Sequence, residues 1–129
     1  MKIVCDIIYK KFLEVIYLKV KRMFIQATIF TRIWKNLGFV DEDLRRLEIT
    51  LLKNPKIGDV IQGTGRLRKL RFAFPNQGKS GSVRVCYVDF EEKGIIYLFA
   101  AFAKNEQENL SQAERNFLKK QIEILEKNL

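Results

Sequence analysis

The chain has 129 residues, 47 % hydrophobic and 30 % charged, with a net charge of +9 and no histidine. That is enough for one folded domain with its own core, and the composition excludes a disordered chain. The missing histidine excludes imidazole acid/base chemistry and histidine-ligated zinc, while the positive charge suits a polyanionic partner. Two cysteines, Cys5 and Cys86, are too far apart in sequence to form a metal or redox motif; a reduced, cytoplasmic setting follows.

The charge is unevenly spread. Residues 1–22 hold six cations and two acids, giving 6 − 2 = +4, and residues 56–90 hold seven and two, giving 7 − 2 = +5. Those two segments carry the whole excess.

In chain order, residues 1–22 form an amphipathic stretch in which Ile8, Phe12, Ile16 and Val20 recur every four residues. Charges interrupt it too often for a membrane span or a signal peptide. Two readings stand: a basic helix lying on an anionic membrane, or an extension outside the domain, with Met23 as the natural start of a domain over 23–129. The run Phe24–Phe30 predicts a strand. Thr31 then caps a short helix through Leu37, stopped by Gly38. A second helix opens on the acidic turn Asp41-Glu42-Asp43, buries Leu44, Leu47, Leu51 and Leu52, and ends at Asn54-Pro55.

Residues 56–65 read as a loop closing on Gly63-Thr64-Gly65, which lacks the spacing of a P-loop or a dinucleotide fingerprint. Arg66–Phe74 predicts a strand. Alternation places Arg68, Leu70, Phe72 and Phe74 on one face and Lys69, Arg71 and Ala73 on the other. A polar turn containing Lys79 leads to a strand over Ser82–Glu91. A tight turn follows, and then the apolar run Ile95–Ala103 predicts a strand buried on both faces at the centre of the sheet. Ser111-Gln112-Ala113-Glu114 is a capping box opening a last helix, with the stripe Leu118, Ile122, Leu125 and Leu129 widened by Phe117 and Ile124. The expected fold is α+β: a small antiparallel sheet packed by helices, in the order β-α-α-β-β-β-α.

Three motifs, Asn54–Arg71, Ser82–Tyr87 and Phe102–Glu106, occur in the order found in the RelE/HigB family of bacterial type II toxins, which the chain resembles from near Met23 almost to its end. The resemblance implies a RelE/ParE-like microbial-RNase fold and an endoribonuclease that cuts mRNA in the ribosomal A site. It also implies inhibition by a partner antitoxin, commonly one with a helix-turn-helix, and no cofactor or metal. In such enzymes a cluster of cations replaces histidine: a lysine can serve as base if neighbouring charge and burial lower its pKa, and arginines stabilise the phosphate. By motif position Lys69 is the candidate base, Arg71 and Arg84 the transition-state stabilisers, and Lys104 a phosphate or leaving-group contact. Arg66, Arg68, Lys79 and Tyr87 are the expected RNA-facing residues; the first three also fit as plain solvated cations, and Tyr87, like Tyr97, as packing. The sequence departs from the family where RelE has a base-stacking tyrosine near its C-terminus: no aromatic residue lies between Lys104 and Phe117. A gyrase-directed ParE-like toxin, or a non-catalytic RNA binder of the same fold, is the alternative.

Overall fold

The structure is a computed structural model that describes residues 22–73, 82–103 and 110–129. The amphipathic segment 1–21, Lys79 and Lys104 lie outside the described residues. The elements are β1 (Met23–Gln26), α1 (Thr28–Asn36), α2 (Asp41–Lys53), β2 (Asp59–Val60), β3 (Arg68–Ala73), β4 (Ser82–Phe90), β5 (Ile95–Ala103) and α3 (Gln112–Lys127). The strands form one sheet in the order β1-β5-β4-β3-β2. The β2–β3, β3–β4 and β4–β5 pairs are antiparallel, and β1 joins β5 in parallel.

The first strand stops at Gln26, four residues before its expected end. Thr28, Ile29 and Phe30 begin α1 instead, because the helix brings Phe30 and Trp34 onto one buried face. Intrinsic β preference is a weak prior beside such burial. Trp34 stacks on Phe39 at a centroid distance of 4.0 Å and on Phe30 at 5.3 Å. With Leu47 and Leu51 of α2, these rings cover Leu70, Phe72, Val83, Val85, Tyr87, Ile96 and Leu98 of the sheet. The Asp43 carboxylate accepts a hydrogen bond from the Val40 N–H at 2.9 Å and so satisfies an otherwise orphaned donor at the start of α2.

The opposite sheet face is covered by α3. Its capping box is present in both directions: Ser111 Oγ accepts from Glu114 N–H at 3.1 Å, and Glu114 Oε1 accepts from Ser111 N–H at 2.8 Å. Leu118, Ile122, Leu125 and Leu129 pack on Leu67, Cys86, Val88 and Phe90. Phe117 and Ile124, expected to widen this stripe, are exposed instead, because the contact is one row narrower than a full amphipathic face. The loop before β3 is fitted to the helix. Gly63 has φ +89°, a conformation that favours glycine, and a Cβ there would lie 3.1 Å from Cδ of Arg115 and press on that side chain.

The central strand is β4, correcting the assignment of that place to β5. From Val85 to Phe90 every residue of β4 is buried, whereas β5 is only partly covered over Phe99–Ala103 apart from Ala101. A β-bulge accompanies this change. Cys86 faces Ala100 and Tyr87 faces Leu98, so Phe99 is the extra residue on β5.

Candidate active site

Strand register fixes which side chains meet. Residues directly opposite one another in an antiparallel pair share a face, with Cβ atoms about 4.5–5.5 Å apart. Arg71 of β3 lies opposite Arg84 of β4, which lies opposite Phe102 of β5. Two residues along β3, about 7 Å by strand geometry, a second row runs Asp59, Lys69, Cys86, Ala100 across β2, β3, β4 and β5. The face is the one on which α3 sits; the helix covers the end nearer Leu67, Val88 and Phe90, and its cover reaches as far as Cys86. The row containing Lys69 instead floors an open groove of about 1320 Å³, which Phe102 also lines.

Three of the four expected catalytic residues, Lys69, Arg71 and Arg84, therefore stand on adjacent pleats of one face, Arg71 exposed and Arg84 half-buried; the fourth, Lys104, lies outside the described residues. The Arg71–Arg84 pair is costly in isolation, since like charges directly opposite destabilise a sheet. A bound phosphate would relieve the conflict, and a bidentate guanidinium fits phosphate geometry. Asp59, opposite Lys69, places a carboxylate at the groove's end. Burial pushes the Cys86 thiol up to about 11 although the neighbouring Lys69 charge opposes the rise, so Cys86 is a small neutral floor and not a nucleophile.

The residues expected to face RNA are placed differently. Arg66 pairs with Glu126 of α3 at 2.6 Å and lies over the Phe90 ring, fastening the helix. Arg68 donates to the carbonyls of Gly58 at 2.6 Å and Lys56 at 3.2 Å, tying down the loop around β2. Tyr87 is fully buried, its hydroxyl accepting from Gly58 N–H at 2.9 Å and donating to the Pro55 carbonyl at 2.8 Å. Burial pushes its phenol up, with the Gly58 hydrogen bond opposing. It is a structural pin and presents no ring to a ligand.

Arg22, placed by the sequence reading in the extension, is bound into the domain. Its guanidinium meets both oxygens of buried Asp89, at 2.6 and 3.2 Å, and Lys56 adds a third contact at 3.1 Å. Burial alone would raise the Asp89 carboxyl. The hydrogen bonds from Arg22 and Lys56 outweigh it and hold the group below the usual carboxylate range.

Sequence reasoning missed Asp59 and Phe102, because nothing local to either states which residue it faces across the sheet. Period-two alternation places both on a face, but only the register joins them to Lys69 and Arg84. Among the described residues no cluster of three or more metal-ligating side chains exists, and no helix is long and apolar enough to cross a membrane.

Comparison with known proteins now decides the family. Residues 21–128 match the family described as the RelE toxin of the RelE/RelB toxin–antitoxin system. The chain belongs to the RelE toxin family. Members of the RelE family are ribosome-dependent endoribonucleases, toxins of type II systems that are paired with an antitoxin. The fold is similar to that of an arginine-substituted mutant of the E. coli toxin RelE in the free state, with 18 % identity, a TM-score of 0.52, and coverage of 68 % of this chain and 88 % of that one.

Proposed function

We propose that this RelE-family chain cuts mRNA in the ribosomal A site by cationic catalysis, with Lys69, Arg71 and Arg84 as its core. The observation that carries the reading is the Arg71–Arg84 cross-strand pair with Lys69 one pleat away on the same sheet face. Cleavage requires the 2′-oxygen to lose its proton and attack phosphorus while the 5′-oxygen leaves. Arg71 and Arg84 hold the phosphate from two adjacent strands and stabilise the charge that builds on it, usually a large share of catalysis. Lys69 stands beside them as the candidate base. Lys104, which follows β5 directly in sequence, is the proposed leaving-group or phosphate contact.

The groove is wide and open, with one cation on its floor. That suits an enzyme relying on the ribosome to present and bend its substrate. The partner antitoxin, proposed to carry a helix-turn-helix, and a cytoplasmic site of action complete the reading.

The test is a reconstituted translation reaction followed by primer extension on the mRNA. Cuts within A-site codons should appear with ribosomes and be absent on naked mRNA. Arg71→Gln and Arg84→Gln should each reduce cutting at least 100-fold, the scale of losing one transition-state donor. DNA damage and supercoiling defects without mRNA cuts would instead indicate a gyrase-directed toxin. Binding to programmed ribosomes without cuts would indicate a non-catalytic RNA binder.

A further inference from the structure

We infer that Asp59 reads the base of the nucleotide whose phosphate is held by Arg71 and Arg84, accepting hydrogen bonds from donors on its Watson–Crick edge. The inference rests on the cleavage activity proposed above. Asp59 and Lys69 lie directly opposite each other across the β2–β3 pair, and both line the groove. Opposite charges in that relation stabilise a sheet when they pair. Among the described residues, however, neither side chain takes part in an ion pair or a hydrogen bond. The groove is thus offered a carboxylate that the described fold does not use.

That carboxylate is exposed, yet the backbone carrying it is held from both directions. The preceding Gly58 donates its N–H to the Tyr87 hydroxyl at 2.9 Å, and its carbonyl accepts from Arg68 at 2.6 Å. A Cβ at Gly58 would lie 3.0 Å from the Lys69 carbonyl oxygen and from the Tyr87 ring, so the loop is pressed against the sheet. Beyond Val60, the Ile61 N–H donates to the Leu67 carbonyl at 2.8 Å. A two-residue strand is too short to hold its own place, and these contacts hold it instead. A group that separates similar ligands needs such fixed support.

Distance distinguishes this role from proton transfer. A strand spacing of about 4.8 Å and a pleat repeat of about 7 Å put the Asp59 backbone about 10 Å from the middle of the Arg71–Arg84 pair. The short side chain does not reach a 2′-oxygen adjoining a phosphate held there, whereas the far edge of that nucleotide's base can meet it. Guanine offers two neighbouring donors, N1–H and the N2 amino group, to the two oxygens of a carboxylate. Adenine and cytosine offer one amino group each. Uracil offers one N–H between two carbonyl oxygens that repel the anion. Apart from Lys69, the other polar side chains of the groove discriminate less. Glu114 is engaged by the Ser111 N–H, Arg115 donates to the carbonyls of Leu110 and Gln62, and the Gln62 amide offers donor and acceptor alike.

The test uses ribosomes programmed with mRNAs in which each A-site nucleotide in turn is guanosine, inosine, adenosine, cytidine or uridine, with cutting read as kcat/KM. At one position the unaltered chain should cut guanosine roughly 5- to 150-fold more efficiently than uridine, the range for one good bidentate base contact. Inosine, which lacks only the 2-amino group of guanosine, should fall between them. Asp59→Ala should bring guanosine and inosine down towards uridine and leave uridine nearly unchanged. Asp59→Asn, whose amide can donate to a uracil carbonyl, should raise uridine above its level with Asp59→Ala.

An equal loss on every nucleotide in Asp59→Ala would overturn the inference, because it would assign Asp59 to holding Lys69 or the loop. Equal cutting of guanosine, inosine and uridine by the unaltered chain at every A-site position would overturn it as well. If Asp59→Ala does not fold, Asp59→Asn and the guanosine–inosine exchange on the unaltered chain still decide. Failure of the unaltered chain to cut any programmed mRNA would overturn the proposed cleavage itself, an outcome separate from the others.

Discussion

The opposed arginines predict that Arg71→Gln stabilises the fold while abolishing cutting. Arg71 is exposed and lies directly across from Arg84, so removing its charge takes away a repulsion without emptying core volume. At a charge separation of about 6 Å, Coulomb's law gives roughly 0.7 kcal/mol in water and about 3 kcal/mol at an effective dielectric constant of 20. Exposure of Arg71 keeps the pair well below the higher figure although Arg84 is half-buried, and cross-strand pairs fall within about 0.2–1 kcal/mol. An expected gain of about 0.5–1 kcal/mol corresponds to a rise in Tm of roughly 2–8 °C for a domain near 100 residues.

Urea unfolding followed through Trp34 fluorescence is the suitable assay, because urea leaves ionic strength free to vary. The gain should be largest at about 0.01 M salt, where the screening length is near 30 Å, and shrink at about 0.15 M, where it is near 8 Å. Inorganic phosphate, which can bridge two guanidinium groups, should stabilise the parent more than the variant. If Arg71→Gln instead destabilises at low salt, or its effect ignores salt and phosphate alike, the two cations are not in conflict and the anion-site reasoning fails.

Asp89→Asn should cost about 3–5 kcal/mol at neutral pH, the scale for breaking a buried ion pair, measured by urea denaturation. Because the folded Asp89 carboxyl is held below its unfolded value near 3.9, its contribution is complete above that pH and is lost as pH falls through the lower folded value. Arg22→Gln should shrink that acid-side loss in a pH series of unfolding curves; an unchanged acid limb would assign it to other groups. Tyr87→Phe leaves the Gly58 N–H and Pro55 carbonyl without their partner, and about 1–3 kcal/mol should be lost. Cutting of programmed ribosomes should persist at a temperature where that variant stays folded, and loss of cutting there would return Tyr87 to the site. Gly63→Ala should lose about 1–2 kcal/mol from left-handed backbone strain alone, read as a lower Tm; an unchanged Tm would show that the loop can leave the left-handed conformation at Gly63.

The elements with strong local signals were legible in the sequence. The acidic first turn of α2, the Ser111–Glu114 box and the apolar run of β5 each place their element within a residue or so, because hydrogen-bond capping and burial are written locally. The two-residue strand β2 was not, since Asp59 and Val60 are too few to show a period and pair only because β3 offers an edge. The start of α1 was missed because an aromatic, β-branched run looks like a strand until Trp34 draws Phe30 onto a helical face. The basic set divided in the same way. Lys69 and Arg71 were separable by alternation within one strand, whereas Arg66 and Arg68 acquire structural work from Glu126 and the Gly58 carbonyl, partners distant in sequence or in an irregular loop.

The sharing of one sheet face between α3 and the open groove limits how this domain can be made sturdier. Burying more apolar surface is the usual route to a higher melting temperature, and Phe99, Ala100 and Phe102 offer such surface directly beside the helix. One added turn of helix advances about 5.4 Å, close to the spacing of the two side-chain rows. Adding it at the end of α3 that borders the groove would narrow the space left for a nucleotide. Gains that preserve access must therefore come from the layer formed by α1 and α2, or from the ion pairs around Asp89. A thermostable relative of this toxin should differ most on those surfaces and keep the groove side of α3 short.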